Sequence, residues 1–268
     1  MPATLSAIYR YPLKSGQGQP LQSAVVTASG LAYDREWMIA TPEGQYLTAR
    51  THPQLLQLKA EPSEDGVSLQ APGMPPIFAP HSALQQIHTA NVWDDHFAAR
   101  SGASEVNQWL SAYLEQSVIL MWVGPESHRR IRRRPDVPIN FSDGYPLLII
   151  GEGSLAELNH RAGMNFEMLR FRPNLVIAGT EPFVEDSWQI IQIGDIRIEL
   201  LKPCERCIIT TLDPQTQEKL PKGEPLRTLA KFRRAGDGVI FGQNAMAHTF
   251  GQLHLGMPIK IIKSSSAG

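Results

Sequence analysis

Cysteine is nearly missing from this 268-residue chain, which has only Cys204 and Cys207. Two thiols in so long a chain exclude a disulfide scaffold and fit a reducing compartment. No run of about 18 apolar residues occurs, so no membrane-spanning helix is expected. The first residues, Met1 to Arg10, have neither the basic start nor the apolar block of a signal peptide, and already read as a strand. A cytoplasmic location is the expectation. Net charge is also scarce, at −1 from 25 basic and 26 acidic residues. No global field then draws the molecule to nucleic acid or an anionic membrane, and any anion site must come from local clustering. Nucleotide loops of the GxGxxG or GxxxxGKS type are absent, as is any internal repeat.

What remains is a globular composition, 42% hydrophobic and 19% charged, organised as short strands. Residues 24–27, 36–41, 55–60 and 67–70 are brief β-prone runs bounded by Gly, Pro, Ser or Asp. Stronger candidates are 117–123 (SVILMWV), 146–150 (PLLII), 175–178 (LVIA) and 259–262. Residues 190–200 alternate around Gly194-Asp195, the pattern of a hairpin. Helices are few. Val106, Trp109, Leu110, Tyr113 and Leu114 form one apolar stripe over 104–114. Ser154-Leu155-Ala156-Glu157 reads as a capping box, predicting a helix from Ser154 to about Arg161, and Pro225 suits a first helical turn. The fold class is therefore mainly β, with barrel-like packing rather than a doubly wound sheet. A composition change near 115–125 divides the chain into an N-terminal β-rich domain (1–115), a second barrel-like domain (116–263) and a disordered tail (264–268).

Chemistry concentrates at Cys204-Glu205-Arg206-Cys207, straight after the alternating hairpin strand, where side chains can be aimed into a cleft. Four readings stay open on the residues alone. A structural zinc site needs about four ligands, and no histidine lies near with finger spacing. A redox dithiol normally opens a helix in a βαβ unit, whereas a β-branched run follows here. A single thiolate on a soft metal would be favoured by the neighbouring Arg206 cation. Two buried structural cysteines are the plain alternative.

The stretch Leu201-Lys202-Pro203-Cys204-Glu205-Arg206-Cys207-Ile208-Ile209-Thr210-Thr211-Leu212-Asp213-Pro214 resembles the signature of MOSC domains, and more closely that of the amidoxime-reducing component family and its bacterial relatives. The resemblance implies that Cys207 binds molybdenum directly, as both metal ligand and catalytic residue, and gives Cys204 no ligand role. Tyr11-Pro12-Leu13-Lys14-Ser15 is similar to the motif whose lysine and serine contact the pterin cofactor, implying Lys14 and Ser15. Gly30-Leu31-Ala32-Tyr33-Asp34-Arg35-Glu36-Trp37 likewise implies Arg35. Arg170-Phe171-Arg172-Pro173-Asn174 implies Arg172 and Asn174, and Phe241-Gly242-Gln243-Asn244 implies Asn244. Glu205, Arg206 and Asp143 complete the implied cofactor-binding set. Near Ser142-Asp143-Gly144-Tyr145 the mitochondrial members place small hydroxyl residues, and this chain departs with Gly144 and Tyr145. A family-level association with pyridoxal phosphate also comes with the resemblance.

The chemistry agrees. Molybdopterin carries a phosphate and a polar pterin, so its pocket needs fixed cations, for which arginine offers a bidentate fork and lysine a point charge. The motifs attributed to one cofactor come from both domains, so the domains are expected to pack closely. The activity implied is that of a molybdenum-cofactor-dependent oxidoreductase reducing small N-hydroxylated substrates such as amidoximes and hydroxylamines. The alternative is a cofactor carrier or sulfur-transfer protein without organic turnover. Some bacterial relatives continue into a [2Fe–2S] ferredoxin domain needing four more cysteines. This chain has none, so electrons are expected from a separate ferredoxin-, flavodoxin- or cytochrome-type partner. Arg129 to Arg134, the one dense basic run, reads either as an exposed loop or as a docking face for an acidic electron-transfer protein.

Overall fold

In the computed structural model, residues 2–265 are described. In chain order the strands are β1 (Thr4–Arg10), β2 (Gln19–Leu21), β3 (Ser23–Thr27), β4 (Gly30–Leu31), β5 (Trp37–Ala40), β6 (Lys59–Ser63) and β7 (Gly66–Gln70). They continue with β8 (Ile77–Pro80), β9 (Gln86–Val92), β10 (Asp95–Ser101), β11 (Ile119–Trp122), β12 (Arg130–Ile131), β13 (Arg134–Pro138) and β14 (Leu147–Gly151). The last are β15 (Leu175–Ala178), β16 (Trp188–Ile193), β17 (Ile196–Glu205), β18 (Arg234–Ala235), β19 (Gly238–Ala247), β20 (Gly251–His254) and β21 (Ile259–Ser264). The α-helices are α1 (Ser104–Leu114), α2 (Glu152–Ala162) and α3 (Leu226–Leu229). The mainly-β expectation holds.

Two compact units form. One comprises Met1–Arg10, Gln19–Ala32 and Tyr145–Gly268, the other Tyr11–Gly18 and Tyr33–Gly144. The division differs from a linear cut at 115 because strand pairing ignores chain order. β1 pairs with β15 and β2, and β3 pairs with β20, so two early segments complete the later unit. β11 pairs with β5, which keeps residues after 115 in the other unit.

In the unit holding the C-terminal half, the main sheet runs β2-β1-β15-β14-β19-β17-β16-β21. Only β14 and β15 are parallel, as a strand–helix–strand crossover through α2 requires. Backbone bonds from Leu5 N to Met257 O, Gly256 N to Leu5 O and Ile259 N to Ala3 O join β1 to the approach of β21. The strand path thus returns to the start of β1, as in a barrel. Inward positions such as Leu5, Ile149, Leu175, Ile191, Ile198 and Ala245 fill one core. A second core, with Leu158, Phe166, Phe171, Leu229 and Phe241, lies under α2 and α3. Gly242 sits in β19 at φ +81°, where a Cβ would stand 2.6 Å from Ile150 Cγ1, so only glycine fits that close approach.

The other unit holds a four-stranded sheet, β5-β11-β10-β9, and a three-stranded sheet, β6-β7-β8. Helix α1 buries Val106, Trp109, Leu110 and Leu114 against this unit's core, as its stripe predicted.

Three local expectations need correction. Residues 55–60 do not make one strand: Pro53–Gln57 is a 3₁₀ turn, and β6 begins at Lys59. Proline at the start of that turn presets its φ. Helix α2 starts two residues before Ser154 and has no side-chain cap, because Ser154 Oγ donates instead to the buried Glu185 carboxylate. Ser264 belongs to β21 and Ser265 N donates to Ser187 O, so the expected tail is ordered there. Residues 266–268 lie outside the described residues.

Candidate functional site

The cysteine segment is built on β17. That strand runs through Cys204 to Glu205, longer than the alternation alone predicted, because it pairs with β19 as far as Glu205 opposite Ile240. Arg206 N adds one more bond to Val239 O at 2.7 Å. Beyond it Cys207 is extended (φ −115°, ψ 177°) and precedes the 3₁₀ turn Ile208–Thr211, whose Thr210 donates to Cys207 O through both N and Oγ1. The Cys207 side chain is exposed. Its thiol therefore stands at the end of a strand on a fixed backbone, open to a ligand.

A residue that sequence reasoning passed over holds this segment in place. Arg170 is buried, and its Nη1 donates to Leu212 O and to Thr210 O (3.4 Å), while Nη2 reaches Asp213 Oδ2 at 3.2 Å. Burial pulls the guanidinium pKa down, and Asp213 opposes that shift. The only available signal was its membership in the Arg-Phe-Arg-Pro-Asn run.

Arg206 departs from expectation. Its Nη1 donates to Cys204 Sγ at 2.9 Å and its Nη2 to Phe171 O at 2.6 Å, with the guanidinium 5.7 Å from the Phe171 ring centre. In extended chain, residues 204 and 206 share a face and 207 points the other way. The cation therefore serves Cys204 and not Cys207. Cys204 is half-buried against the Phe171 and Phe241 core.

Asn174 is 2% exposed, and its side chain is committed to the sheet. Oδ1 accepts from Leu148 N at 3.1 Å and Nδ2 donates to Tyr9 O at 3.2 Å, fastening β14 to β1. Arg172 ends the 3₁₀ turn Met168–Phe171 in left-handed geometry (φ 55°). Asn244 lies opposite Lys202 and donates to Pro203 O, and the exposed Glu205 accepts from Lys202 Nζ. Cys204, Glu205 and Asn244 thus share one strand pair, with Cys207 just beyond its end.

The other unit gathers Lys14, Ser15, Arg35 and Asp143. Lys14 is 6% exposed and donates to Phe141 O (2.8 Å) and Asp143 Oδ1 (2.5 Å). Burial lowers its pKa, Asp143 pushes back, and Arg129 and Arg35 add to the lowering. Asp143 is crowded by neighbours, which acts to raise its pKa, but Lys14 wins and holds it at about 2. Even so, 59% of its side chain stays open to solvent. Arg35 pairs with the buried Asp34, lies 4.3 Å over the Tyr11 ring, and receives Phe141 N on its carbonyl. Asp34 also accepts from Tyr11 N, so the two N-terminal motifs interlock through a carboxylate that the resemblance did not mark.

Arg129 is the second residue missed. It is not part of an exposed run: its guanidinium is buried, bonded to Asn140 O, Ser142 O and Asp95, and shapes the loop that carries Asp143. Ile131 is buried too, while Arg130, Arg132 and Arg133 are exposed in the β12–β13 hairpin. A cavity of about 500 Å³ opens beside Arg129, lined also by Asp94, Asp95, His96, Glu126 and His128, and none of the expected site residues lines it.

Three expected residues, Ser15 (φ 63°), Arg35 (φ 50°) and Arg172 (φ 55°), hold left-handed backbone. Side chains there cost on the order of 1 kcal/mol each, and such strain collects at functional sites. Among the described residues no three His, Cys, Asp or Glu side chains gather as a metal cage. The protein thus offers a metal one exposed thiol at a strand end, which suits a metal that brings its remaining ligands with it.

Comparison with known proteins then decides the family. Residues 2–117 match the MOSC N-terminal beta barrel domain and residues 136–260 the MOSC domain. Mitochondrial amidoxime-reducing component 1 of Homo sapiens is 32% identical, over 97% of this chain and 83% of that protein. The chain belongs to the amidoxime-reducing component family. Another family member, mitochondrial amidoxime reducing component 2 of Rattus norvegicus, is 30% identical over 96% of this chain and 82% of its own. The crystal structure of the YUAD protein from Bacillus subtilis covers 97% of this chain and 94% of its own at 11% identity and TM-score 0.46, too slight a likeness to carry an argument. Neither the family descriptions nor these relatives support the expected link to pyridoxal phosphate.

Proposed function

We propose that this protein binds molybdenum cofactor with the Cys207 thiolate as its protein ligand, and reduces N-hydroxylated compounds with electrons from a separate carrier. The observation that carries this reading is the exposed Cys207 thiol, held at a strand end by the Thr210 bonds and by the buried Arg170 clamp. Membership of a family whose relatives are named for amidoxime reduction supports the substrate class.

The cofactor, when bound, supplies two-electron chemistry. The net reaction is balanced by an amidoxime taking two electrons and two protons to give an amidine and water. The chain's own contribution is placement. Cys207 supplies one anionic sulfur, and Arg172 a cation on a fixed turn. Within the other unit, Lys14, Arg35 and Ser15 are donors of the kind that phosphate and pterin oxygens require. The electron donor, a ferredoxin-, flavodoxin- or cytochrome-type protein, belongs to the same proposal.

The test uses protein made in a cofactor-competent host. Molybdenum should copurify near one atom per chain, and a chemical reductant should drive benzamidoxime reduction. Cys207→Ala should lose the metal and the activity together, while Cys204→Ala should keep the metal. Metal retention without turnover would replace this reading with a carrier, and a persulfide on either cysteine with sulfur transfer.

A further inference from the structure

Trp93 occupies the tip of the β9–β10 hairpin, where Asp95 pairs with Val92 and leaves Trp93-Asp94 as the two-residue turn. Its φ is +54°. Turn positions of this kind favour glycine or asparagine, and a bulky aromatic there is an outlier. The side chain is 53% exposed, although it is a large hydrophobic group that burial would favour. Neither backbone preference nor core packing explains a tryptophan at this place.

Its neighbours form a definite arrangement. The Arg50 guanidinium lies 4.7 Å from the indole centre, and the Tyr46 ring 6.1 Å away at 53°. Arg50 Nη2 donates to Tyr46 Oη at 3.3 Å. The Tyr46 segment is fixed to the hairpin by Asn91 N donating to Gly44 O and by the Gln45–Asn91 bridge. Lys14 Nζ stands 5.3 Å from the Tyr46 ring and donates to Asp143. Lys14, Arg35, Arg100 and Arg129 each have a carboxylate partner. Among the described residues Arg50 alone of this cluster forms no direct ion pair, and the acidic charge it feels, that of Asp143, is already held by Lys14.

We propose that Trp93, Arg50 and Tyr46 form a binding shelf for a flat aromatic ring bearing a carboxylate. The ring stacks on the open indole surface, and its anion pairs with the Arg50 fork, which no direct ion pair occupies. This site requires no metal, so it stands or falls separately from the molybdenum reading.

The experiment titrates full-length protein, with and without bound cofactor, with 1-naphthoate, and follows tryptophan fluorescence. Saturable quenching is expected, and Trp93→Leu and Arg50→Met should each weaken it about tenfold or more, the scale of losing one stacked or charged contact. Naphthalene-1-carboxamide, which lacks the charge, and cyclohexanecarboxylate, which lacks the flat ring, should bind at least about tenfold more weakly. Trp93→Gly separates binding from folding: it should lose naphthoate while melting no lower than the parent, since glycine suits the left-handed turn. Absence of saturable binding, equal binding of the carboxamide, or indifference to Trp93→Leu and Arg50→Met would overturn the proposal. So would binding that occurs only in cofactor-free protein, which would assign the shelf to the cofactor.

Discussion

Replacing Arg170 with methionine should loosen the segment that presents Cys207 while leaving both cysteines in place. The guanidinium donates to two backbone carbonyls, of Thr210 and Leu212, whose residues are 2% and 3% exposed, and to the Asp213 carboxylate. A hydrogen bond from a charged donor to a buried acceptor contributes roughly 1.5–3 kcal/mol, and the 3.4 Å contact lies at the weak end. The Asp213 side chain is 31% exposed, so solvent screening holds that pairing to about 1 kcal/mol or less. The expected local loss is therefore about 3 kcal/mol, or roughly a hundredfold in the opening equilibrium. Hydrogen exchange on a peptide spanning 207–214 reads it directly, because Thr210 N and Leu212 N bond to Cys207 O and Ile209 O inside the turn. Their exchange should accelerate by about two orders of magnitude. Molybdenum content should fall in parallel if Cys207 is the ligand. Exchange within about threefold of the parent, with an unchanged urea midpoint, would refute the clamp.

Two further predictions concern protons. Glu185 is fully buried: its Oε1 accepts from Gly151 N and Ser154 Oγ, its Oε2 has no partner among the described residues, and burial raises its pKa despite those bonds. The folded protein therefore holds this proton more tightly than the unfolded chain. That stabilisation is fully present below the unfolded value near 4.5 and is lost as pH rises through the folded one. Glu185→Gln should flatten this part of a melting-temperature profile between pH 4.5 and 8, and an unchanged profile would show that the carboxyl is ionised throughout. His81 stacks between Trp37 and Trp122 at 5.9 and 4.0 Å, and burial lowers its pKa. Here the unfolded chain protonates first, so the stabilisation is present above about 6.5 and lost as pH falls through the folded value. His81→Phe keeps the stacking and should reduce the drop in melting temperature between pH 7 and 5. An equal drop in both proteins would disprove the assignment.

Much of the architecture was legible along the chain. The α1 stripe, the hairpin about Gly194-Asp195 and most strand positions follow from side-chain periodicity, which a short window contains in full. The cysteine segment and the cofactor motifs were equally readable, because a resemblance needs only residue order. Nothing local, however, distinguishes a buried arginine from a solvated one. Arg129 and Arg170 are covered only because carbonyls 11 to 42 residues away converge on them. Arg206 turns to Cys204 because β17 continues past its alternating stretch while β19 still offers partners. Ser154 abandons its expected cap for Glu185, 31 residues on. The two units cross the linear order for the same reason, since β1 finds β15 some 170 residues away. Periodicity is a property of neighbours in sequence, whereas desolvation and hydrogen-bond partners belong to neighbours in space. The first determined which elements form, and the second alone decided which charges are buried and what they hold.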